Sequence, residues 1–224
     1  DNGFWDTFRA VHPLFTLLYP EVSERVTQSI LNAYDESGFM PEWASPGHRE
    51  CMIGNNSISL LTDAWMKGIR TICPEKALEA MIHQTEARHP GISSVGRDGF
   101  GYYDRLGYVP YPEVHEGTAK TLEYAYADWC VARFADSIGR KEIADTYYRK
   151  ALNYRNLYYP DYGFMWAKDA NGKWRDAFDA TEWGGPFTEG SSWHWTWSVL
   201  HDPEGLSRLM GGHTAMEARL DSMF

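Results

Sequence analysis

Short and long connections alternate between the helical segments of this chain, and this alternation constrains the fold more than any other feature. Apolar residues recur every three to four positions along most segments, which is the period of an amphipathic helix. The connections that follow the second, fourth and sixth segments are long and rich in glycine and aromatic residues, whereas those that follow the first, third and fifth are short. Because short connections make neighbouring helices antiparallel, all the long loops are expected at one end of a helical array.

The pattern predicts an all-α fold with about seven long helices and one or two short ones. No segment alternates in the manner of a substantial β-sheet. The expected helices cover approximately residues 4–18, 21–34, 56–69, 75–88, 118–138, 141–158, 190–200, 204–210 and 213–224. The three long loops cover residues 39–54, 89–116 and 160–188. An α/α-barrel or helical array with its site on the loop face fits this arrangement.

The stretch Trp183–Trp197 places four tryptophans around a single carboxylate, Glu189. Aromatic faces stack on the C–H face of a sugar, and a well-placed acid can protonate a glycosidic oxygen. A tryptophan-rich core with a helix-capping glutamate is the alternative interpretation. At a helix N-terminus the macrodipole favours the ionised carboxylate, whereas burial among aromatic rings favours the protonated acid. The sequence does not settle which effect is larger.

Trp5 and Asp6 open the first segment, at the same predicted end of the array as Glu189. Asp6 can accept hydrogen bonds from sugar hydroxyls while Trp5 stacks on the ring. The alternative is an aspartate that the helix dipole favours in the first turn, or an ion pair between Asp6 and Arg9. We expect Trp5, Asp6, Glu189 and Trp193 to lie on one face, beside the three long loops.

His194, His201 and Asp202 flank the tryptophan cluster. The two histidines are seven residues apart without a third ligand at a usual spacing, so hydrogen-bonded polar residues around a pocket are favoured over a zinc site. The three cysteines also fit no zinc pattern, and we expect buried free thiols. No phosphate loop, nucleophile elbow or dinucleotide fingerprint occurs in a supporting context.

The composition excludes several classes of partner. The formal net charge is −10, which disfavours nucleic acid and anionic membranes because both require basic patches. No apolar run approaches the roughly 20 residues of a membrane span. The chain begins Asp1-Asn2-Gly3, without Met or a signal peptide, and we expect a processed or excised segment. Aromatic residues make up 15% of the chain, which suits both a core and a carbohydrate cleft.

Several motifs in order along the chain resemble glycoside hydrolase family 92, a family of calcium-dependent, inverting, exo-acting α-mannosidases. The similarity spans essentially the whole chain. The motifs are Trp5-Asp6-Thr7-Phe8-Arg9, His12-Pro13-Leu14, Gly107-Tyr108-Val109-Pro110, the run from Lys120 to Cys130, Tyr154-Arg155-Asn156-Leu157, Gly163-Phe164-Met165, Thr188-Glu189-Gly190 and His201-Asp202.

The resemblance implies a β-sandwich followed by an (α/α)₆ barrel, of which residues 1–224 match the N-terminal part of the barrel. It implies that Glu189 is the general acid and that Trp5 and Asp6 contact the sugar in the −1 subsite, with Trp193 and His194 as further candidates for substrate binding. The family's general-base aspartates lie in a Gly-Asn-Asp-Asp-like motif that this sequence does not contain. No residue is assigned to a metal, and calcium is expected in the parent enzyme rather than on this chain alone.

The resemblance further implies mannose-containing glycans as substrates, with α-1,2 or related linkages, and a secreted, periplasmic or cell-surface location. Because its base and most metal ligands are missing, the isolated chain is expected to be inactive and to self-associate through an open barrel edge. Two alternatives stay open: a carbohydrate-binding helical module without turnover, and another α/α-barrel sugar enzyme such as a lyase or phosphorylase.

Overall fold

The structure, a computed structural model, describes residues 2–45 and 47–224. Asp1, where the chain begins, and Pro46, in the first long loop, lie outside the described residues. The α-helices are α1 (Phe4–Thr7), α2 (Val11–Leu18), α3 (Pro20–Ser37), α4 (Asn56–Met66), α5 (Pro74–Glu86), α6 (Phe100–Leu106), α7 (Gly117–Ser137), α8 (Lys141–Lys150), α9 (Ser192–Trp195), α10 (Pro203–Met210) and α11 (His213–Asp221). A 3-10 helix spans Asn153–Leu157.

Two short antiparallel ribbons accompany the helices. Strand β1 (Asn2–Gly3) pairs with β2 (Trp43–Ala44), with Gly3 opposite Trp43. Strand β3 (Tyr158–Tyr159) pairs with β4 (Phe164–Met165), with Tyr159 opposite Phe164. The protein is therefore mainly α-helical, as the apolar periodicity predicts.

The chain divides into two compact units. The first unit contains residues 1–100 and 127–151, and the second contains residues 101–126 and 152–224. Helix α7 contributes its first half to the second unit and its second half to the first.

The first predicted helix is broken into α1 and α2, and Pro13 gives the physical reason. A continuous helix over residues 4–18 would place Pro13 in its interior, where proline removes a hydrogen bond and clashes with the preceding turn. The break at residues 8–10 instead places Pro13 in the first turn of α2, where its missing N–H costs nothing.

Four further predictions require correction. Helix α6 lies inside a region predicted as loop, residues 89–116. The helix predicted over residues 141–158 ends at Lys150 and continues as the 3-10 helix and β3. The helix predicted over residues 190–200 contains only the four residues of α9. All three cysteines are free, but Cys51 and Cys73 are exposed rather than buried.

The core of the first unit contains a fully buried ion pair. Arg97 and Asp128 are 1% and 0% exposed, and Nη2 of Arg97 lies 2.8 Å from Oδ1 of Asp128. Asn55 completes the arrangement, because its Oδ1 accepts a hydrogen bond from Nε of Arg97 and its Nδ2 donates to the carbonyl of Gly96. A pair of this kind is costly to break, since removal of one partner leaves an uncompensated buried charge.

Buried Glu42 connects the first long loop to two helices. Its carboxylate accepts hydrogen bonds from the backbone N–H of Ser57 at 3.1 Å, from Oγ of Ser57 at 2.8 Å and from Nε2 of Gln84 at 3.0 Å. Its backbone carbonyl accepts the N–H of Phe4 at 3.0 Å, at the start of α1. The position of Trp5 and Asp6 therefore depends on Glu42.

In the second unit, Asp202 caps α10 and joins it to the 3-10 helix. Its Oδ1 accepts the N–H of Gly205 at 2.8 Å, and its Oδ2 accepts the hydroxyl of Tyr154 at 2.7 Å and Nη2 of Arg155 at 2.9 Å. Burial acts to raise the pKa of Asp202, but these hydrogen bonds outweigh it and lower the pKa. A β-carbon at Gly205 would overlap both Asp202 and Tyr154.

Substitution Gly205→Ala should therefore destabilise the chain by about 1–3 kcal/mol, the usual cost of forcing extra volume into a packed site. Urea unfolding followed by circular dichroism measures this change. Gly101→Ala is a matched control in the same unit, because a β-carbon at helical Gly101 meets no atom within 4 Å. There alanine should be neutral or stabilise by up to about 1 kcal/mol. Equal effects of the two substitutions would contradict this account.

The stability of the chain should also depend on the ionisation of Glu42. Burial raises the pKa of Glu42 from 4.5 to about 8, although hydrogen bonds from Ser57 and Gln84 oppose the shift. The folded state then binds more protons than the unfolded state between these two values, so this contribution to stability is complete below pH 4.5 and is lost as the pH rises through 8.

Glu42→Gln, which resembles the protonated acid in shape, provides the comparison. The free energy of unfolding of the wild type relative to this variant should fall by at least about 1 kcal/mol between pH 5.5 and pH 8.5, because each unit of displaced pKa corresponds to about 1.4 kcal/mol. Urea unfolding of both proteins at the two pH values measures the difference. A difference that does not change with pH would contradict the raised pKa.

Candidate active site

A tight loop, residues 183–190, holds Glu189 away from the core of the second unit. Gly184 and Gly185 have φ angles of +80° and +63°, in the left-handed region that glycine adopts readily. The N–H of Gly184 donates to the carbonyl of Gly190 at 2.8 Å and closes the loop. Phe187 is 1% exposed and anchors it in the core. The loop therefore has little freedom, although its outer residues face solvent.

Glu189 is exposed and has a φ angle of +45°. The left-handed region is unfavourable for a residue with a β-carbon, by roughly 1–2 kcal/mol. Such strain persists only where the surrounding structure imposes it, and it is enriched at functional sites. This backbone conformation directs attention to Glu189 independently of its sequence motif.

The N-terminus of α7 holds the loop through backbone groups. The N–H groups of Thr118 and Ala119 donate to the carbonyl of Pro186 at 3.1 and 3.2 Å, and the N–H of Glu116 donates to the carbonyl of Gly185 at 3.1 Å. The first N–H groups of a helix have no partner within it, so the loop satisfies groups that would otherwise be unpaired.

An ion pair fixes the segment before Trp183. The guanidinium of Arg175 donates to both carboxylate oxygens of Glu182, at 2.7 and 2.8 Å. Both side chains are about one-third exposed. A two-point contact of this type restricts orientation as well as distance. Residues seven apart in a predicted loop carry no sequence signal for this pairing.

Helix α9 begins at Ser192, so Glu189 is not part of its first turn. Ser191 is the N-cap, and His194 completes a capping box by accepting the N–H of Ser191 at 3.2 Å through Nδ1. Glu189 therefore lies two residues before the cap. The four-residue helix α9 does not provide the macrodipole effect on Glu189 that the sequence predicts. Glycine suits position 190, because a β-carbon there would lie 3.1 Å from Nε1 of Trp195, closer than an ordinary contact.

Trp193 and His194 have different surroundings. The ring of Trp193 is partly buried and lies edge-on to Phe164, with 4.7 Å between centroids, and the guanidinium of Arg219 lies 5.9 Å from it. His194 is exposed and packs edge-on against Trp183, with 5.5 Å between centroids. Packing thus engages Trp193, whereas His194 faces solvent. Contact of either residue with a substrate stays a prediction.

Trp5 and Asp6 lie in the first unit. The guanidinium of Arg9 lies 4.0 Å from the ring centroid of Trp5, and its Nε donates to the Trp5 carbonyl at 3.2 Å. Asp6 is exposed, and its Oδ2 would be 2.8 Å from a β-carbon at Gly3. Within the described part of the chain, Arg9 therefore stacks on Trp5 and forms no ion pair with Asp6. Because Glu189 and Trp193 belong to the second unit, the expected common face stays a prediction.

Among residues 2–45 and 47–224, no group of three or more histidine, cysteine, aspartate or glutamate side chains is placed to hold a metal ion. Asp202 is committed to Tyr154, Arg155 and the cap of α10. These residues do not fit a resident metal.

A cavity of about 630 Å³ in the first unit does not contain the candidate residues. Apolar side chains of α3 and the segments beside it contribute much of its wall, with Phe4, His12, Ile30 and Ala44 among its lining residues. Neither Trp5 nor Asp6 lines it. The assignment of the site therefore depends on the chemistry of the loop and not on the size of a cavity.

Sequence reasoning missed Glu42 and the Arg175–Glu182 pair. Glu42 contacts residues that are 15 and 42 positions away, a separation that no local pattern reports. Trp183, although part of the noted stretch, was not among the predicted substrate contacts. The two glycines directly after Trp183 indicate a sharp turn. That turn is the sequence signal that the Trp183 side chain lies outside the core.

Comparison with known proteins identifies relatives over the whole chain. Residues 1–224 match the model of the glycosyl hydrolase family 92 catalytic domain. A family GH92 inverting mannosidase from Bacteroides thetaiotaomicron VPI-5482 is 83% identical with a TM-score of 0.98, over 100% of this chain and 30% of that one. A family GH92 α-mannosidase from the same species, solved with mannoimidazole, is 32% identical with a TM-score of 0.90, over 98% of this chain and 29% of that one.

A curated relative, described as an uncharacterized secreted glycosidase of Arthroderma benhamiae, is 27% identical over 86% of this chain and 29% of its own length. The chain thus spans less than one-third of the length of these relatives. Among the described residues, no helix is long and apolar enough to cross a membrane.

The matches confirm the resemblance that the sequence motifs indicate. They also confirm the all-α class and the partial (α/α)₆ barrel. The relatives of this sequence are glycosidases, and mannosidases are among them. On the match over its full length, the chain belongs to glycosyl hydrolase family 92.

Proposed function

We propose that these residues form part of the catalytic domain of an inverting, exo-acting α-mannosidase, with Glu189 as the general acid. The observation that supports this most is the placement of Glu189, an exposed carboxylate in a strained conformation on a loop that α7 and an ion pair hold in place. The names of the two mannosidases support the substrate class. Terminal α-mannosides with α-1,2 or related linkages, in N-glycans or mannans, are the proposed substrates.

In the proposed reaction, the carboxyl proton of Glu189 passes to the glycosidic oxygen as the bond from that oxygen to the anomeric carbon breaks. A water molecule attacks the anomeric carbon from the opposite face and gives its proton to a second carboxylate, so the product has inverted configuration. Inverting glycosidases separate the two carboxyl groups by about 6.5–9.5 Å. By the family resemblance the second carboxylate belongs to a motif outside this sequence.

The other predicted residues receive roles in substrate binding. Trp5 offers an aromatic face, and exposed Asp6 offers acceptors for sugar hydroxyls. Trp193 contributes through the packing around Phe164, and His194 offers a ring nitrogen at the loop. Calcium is proposed for the parent enzyme, held by residues other than these. A secreted, periplasmic or cell-surface location is proposed, supported by the description of the fungal relative as secreted.

Glu189→Gln in the full-length protein should lower hydrolysis of mannosides with poor leaving groups by about 10²- to 10⁴-fold, the usual contribution of a general acid. Mannosides whose leaving group needs no proton should lose much less activity. Steady-state kinetics on an α-mannobioside and on α-mannosyl fluoride separate the two cases.

Glu217→Gln serves as the control, because Glu217 is an exposed glutamate on α11 of the same unit. It should leave both rates within about twofold of the wild type, since surface substitutions usually change stability by under 0.5 kcal/mol. Equal losses on both substrates for Glu189→Gln would show that Glu189 is not the acid.

Residues 1–224 by themselves should show no α-mannosidase activity and should self-associate. Inversion needs two proton transfers, and only the acid is assigned here. Helix α2 and the residue after it expose an apolar face, with Val11, Leu14, Leu17, Leu18 and Tyr19 each 40–76% exposed. Contiguous apolar patches on soluble proteins usually mark interfaces.

Size-exclusion chromatography with light scattering, and an assay with added calcium, test these expectations. The double variant Leu14→Glu/Leu17→Glu should yield a smaller species, whereas Leu200→Glu, at an exposed leucine of the second unit, should not. A monomeric wild-type chain with calcium-dependent turnover would contradict both expectations and make Asp6 the first candidate for the base.

A further inference from the structure

Trp183 is the exposed aromatic residue of the Glu189 loop. It is 65% exposed, and its indole contacts the edge of the His194 ring. Trp195 is 4% exposed, and the ring of Trp193 is engaged with Phe164. Trp183 thus presents an aromatic ring face to solvent at a fixed place on an anchored loop, and such a face can stack on the C–H face of a sugar.

The loop fixes Trp183 close to Glu189. The hydrogen bond between Gly184 and Gly190 joins the two residues that directly follow Trp183 and Glu189 in the chain. The Arg175–Glu182 pair fixes the residue before Trp183. The indole and the carboxylate are therefore attached to one rigid loop, each next to its closing hydrogen bond.

His194 adds a hydrogen-bond donor of defined position. A backbone N–H can only donate, so Nδ1 of His194 must accept the N–H of Ser191, and the proton of the neutral ring lies on Nε2. Within the described ranges, Nε2 has no hydrogen-bond partner, and the side chain is exposed. The capping box thus sets both the tautomer and the direction of a free N–H group beside the indole of Trp183.

We propose that Trp183 and His194 bind the sugar on the leaving-group side of the bond that Glu189 protonates, with the indole stacking on the ring and Nε2–H donating to a hydroxyl. The inference rests on the proposed function. An exo-acting enzyme encloses the terminal sugar, whereas the rest of the glycan extends into solvent. The most exposed aromatic ring of the loop therefore suits the leaving group rather than the terminal mannose.

The test uses the full-length protein and compares an α-mannobioside with α-mannosyl fluoride, whose leaving group occupies no sugar subsite. Trp183→Ala should lower kcat/KM on the mannobioside by roughly tenfold or more, mainly through KM, because a lost contact of 1.4 kcal/mol is a factor of ten. The value on the fluoride should change by less than about threefold. Trp183→Phe should restore most of the difference, since a ring face remains.

His194 permits a closely matched pair of variants. Glutamine and glutamate both suit this position of a capping box, so each should preserve α9. Only glutamine keeps an N–H group, so His194→Gln should retain a KM on the mannobioside near that of the wild type and His194→Glu should raise it. Tyr162→Ala, at another exposed aromatic residue of the second unit, is the control and should not discriminate between the substrates.

The outcomes separate this proposal from the one on which it rests. If Trp183→Ala changes both substrates equally, or neither, the leaving-group site is wrong, whatever Glu189→Gln does. If Glu189→Gln shows no dependence on the leaving group, the acid assignment fails, and a selective effect of Trp183→Ala would still assign the sugar site. Equal KM values for His194→Gln and His194→Glu would remove His194 from it.

Discussion

The capture of loop carbonyls by the N-terminus of α7 is the interaction on which the candidate site depends. A helix leaves its first N–H groups unpaired, and here the carbonyl of Pro186 accepts two of them, while the carbonyl of Gly185 accepts the N–H of Glu116 directly before α7. The loop must turn sharply to present two successive carbonyls in one direction, which the left-handed Gly184 and Gly185 allow. The same turn places Glu189 on the outside of the loop. One turn therefore both pairs the N–H groups at the start of α7 and exposes the carboxylate of Glu189.

Three tryptophans of this stretch differ in their environment. Trp195 is buried, and its Nε1 donates to the carbonyl of Thr188 at 2.8 Å, which fixes the backbone directly before Glu189. Trp193 packs with Phe164, a residue of β4, and so connects α9 to the β3–β4 ribbon. Trp183 remains in solvent. Aromatic residues that look equivalent in the sequence thus serve separately as core, connection and surface, and only the tertiary contacts distinguish these roles.

Helices whose apolar stripe is long were predictable, and elements that depend on distant partners were not. Helices α3, α5 and α7 follow the 3.6-residue period and end within a few residues of their expected bounds. Pro13 is the sequence signal for the break between α1 and α2, and there the cost of an interior proline outweighs the apolar stripe. The close approach of Gly190 to Trp195 beside α9 and the contacts of Glu42 with Ser57 and Gln84 are tertiary features. Neither contact has a local signature. At the candidate site, the sequence motif indicates Glu189. Its left-handed backbone, and the hydrogen bonds and ion pair that hold its loop, are visible only in the structure.

Glu42 and Glu189 show why a perturbed ionisation constant does not by itself locate an active site. Burial raises the pKa of Glu42 to about 8, a value suited to proton transfer. Yet Glu42 is 1% exposed and its oxygens are occupied by Ser57 and Gln84, so no glycosidic oxygen can reach it. Its chemistry serves to fasten the first long loop to α4 and α5. Glu189 has the opposite combination, an accessible carboxylate on a left-handed backbone in a loop held by hydrogen bonds. Because a general acid must meet the oxygen that it protonates, access and rigid placement come first, and the structure gives both to Glu189.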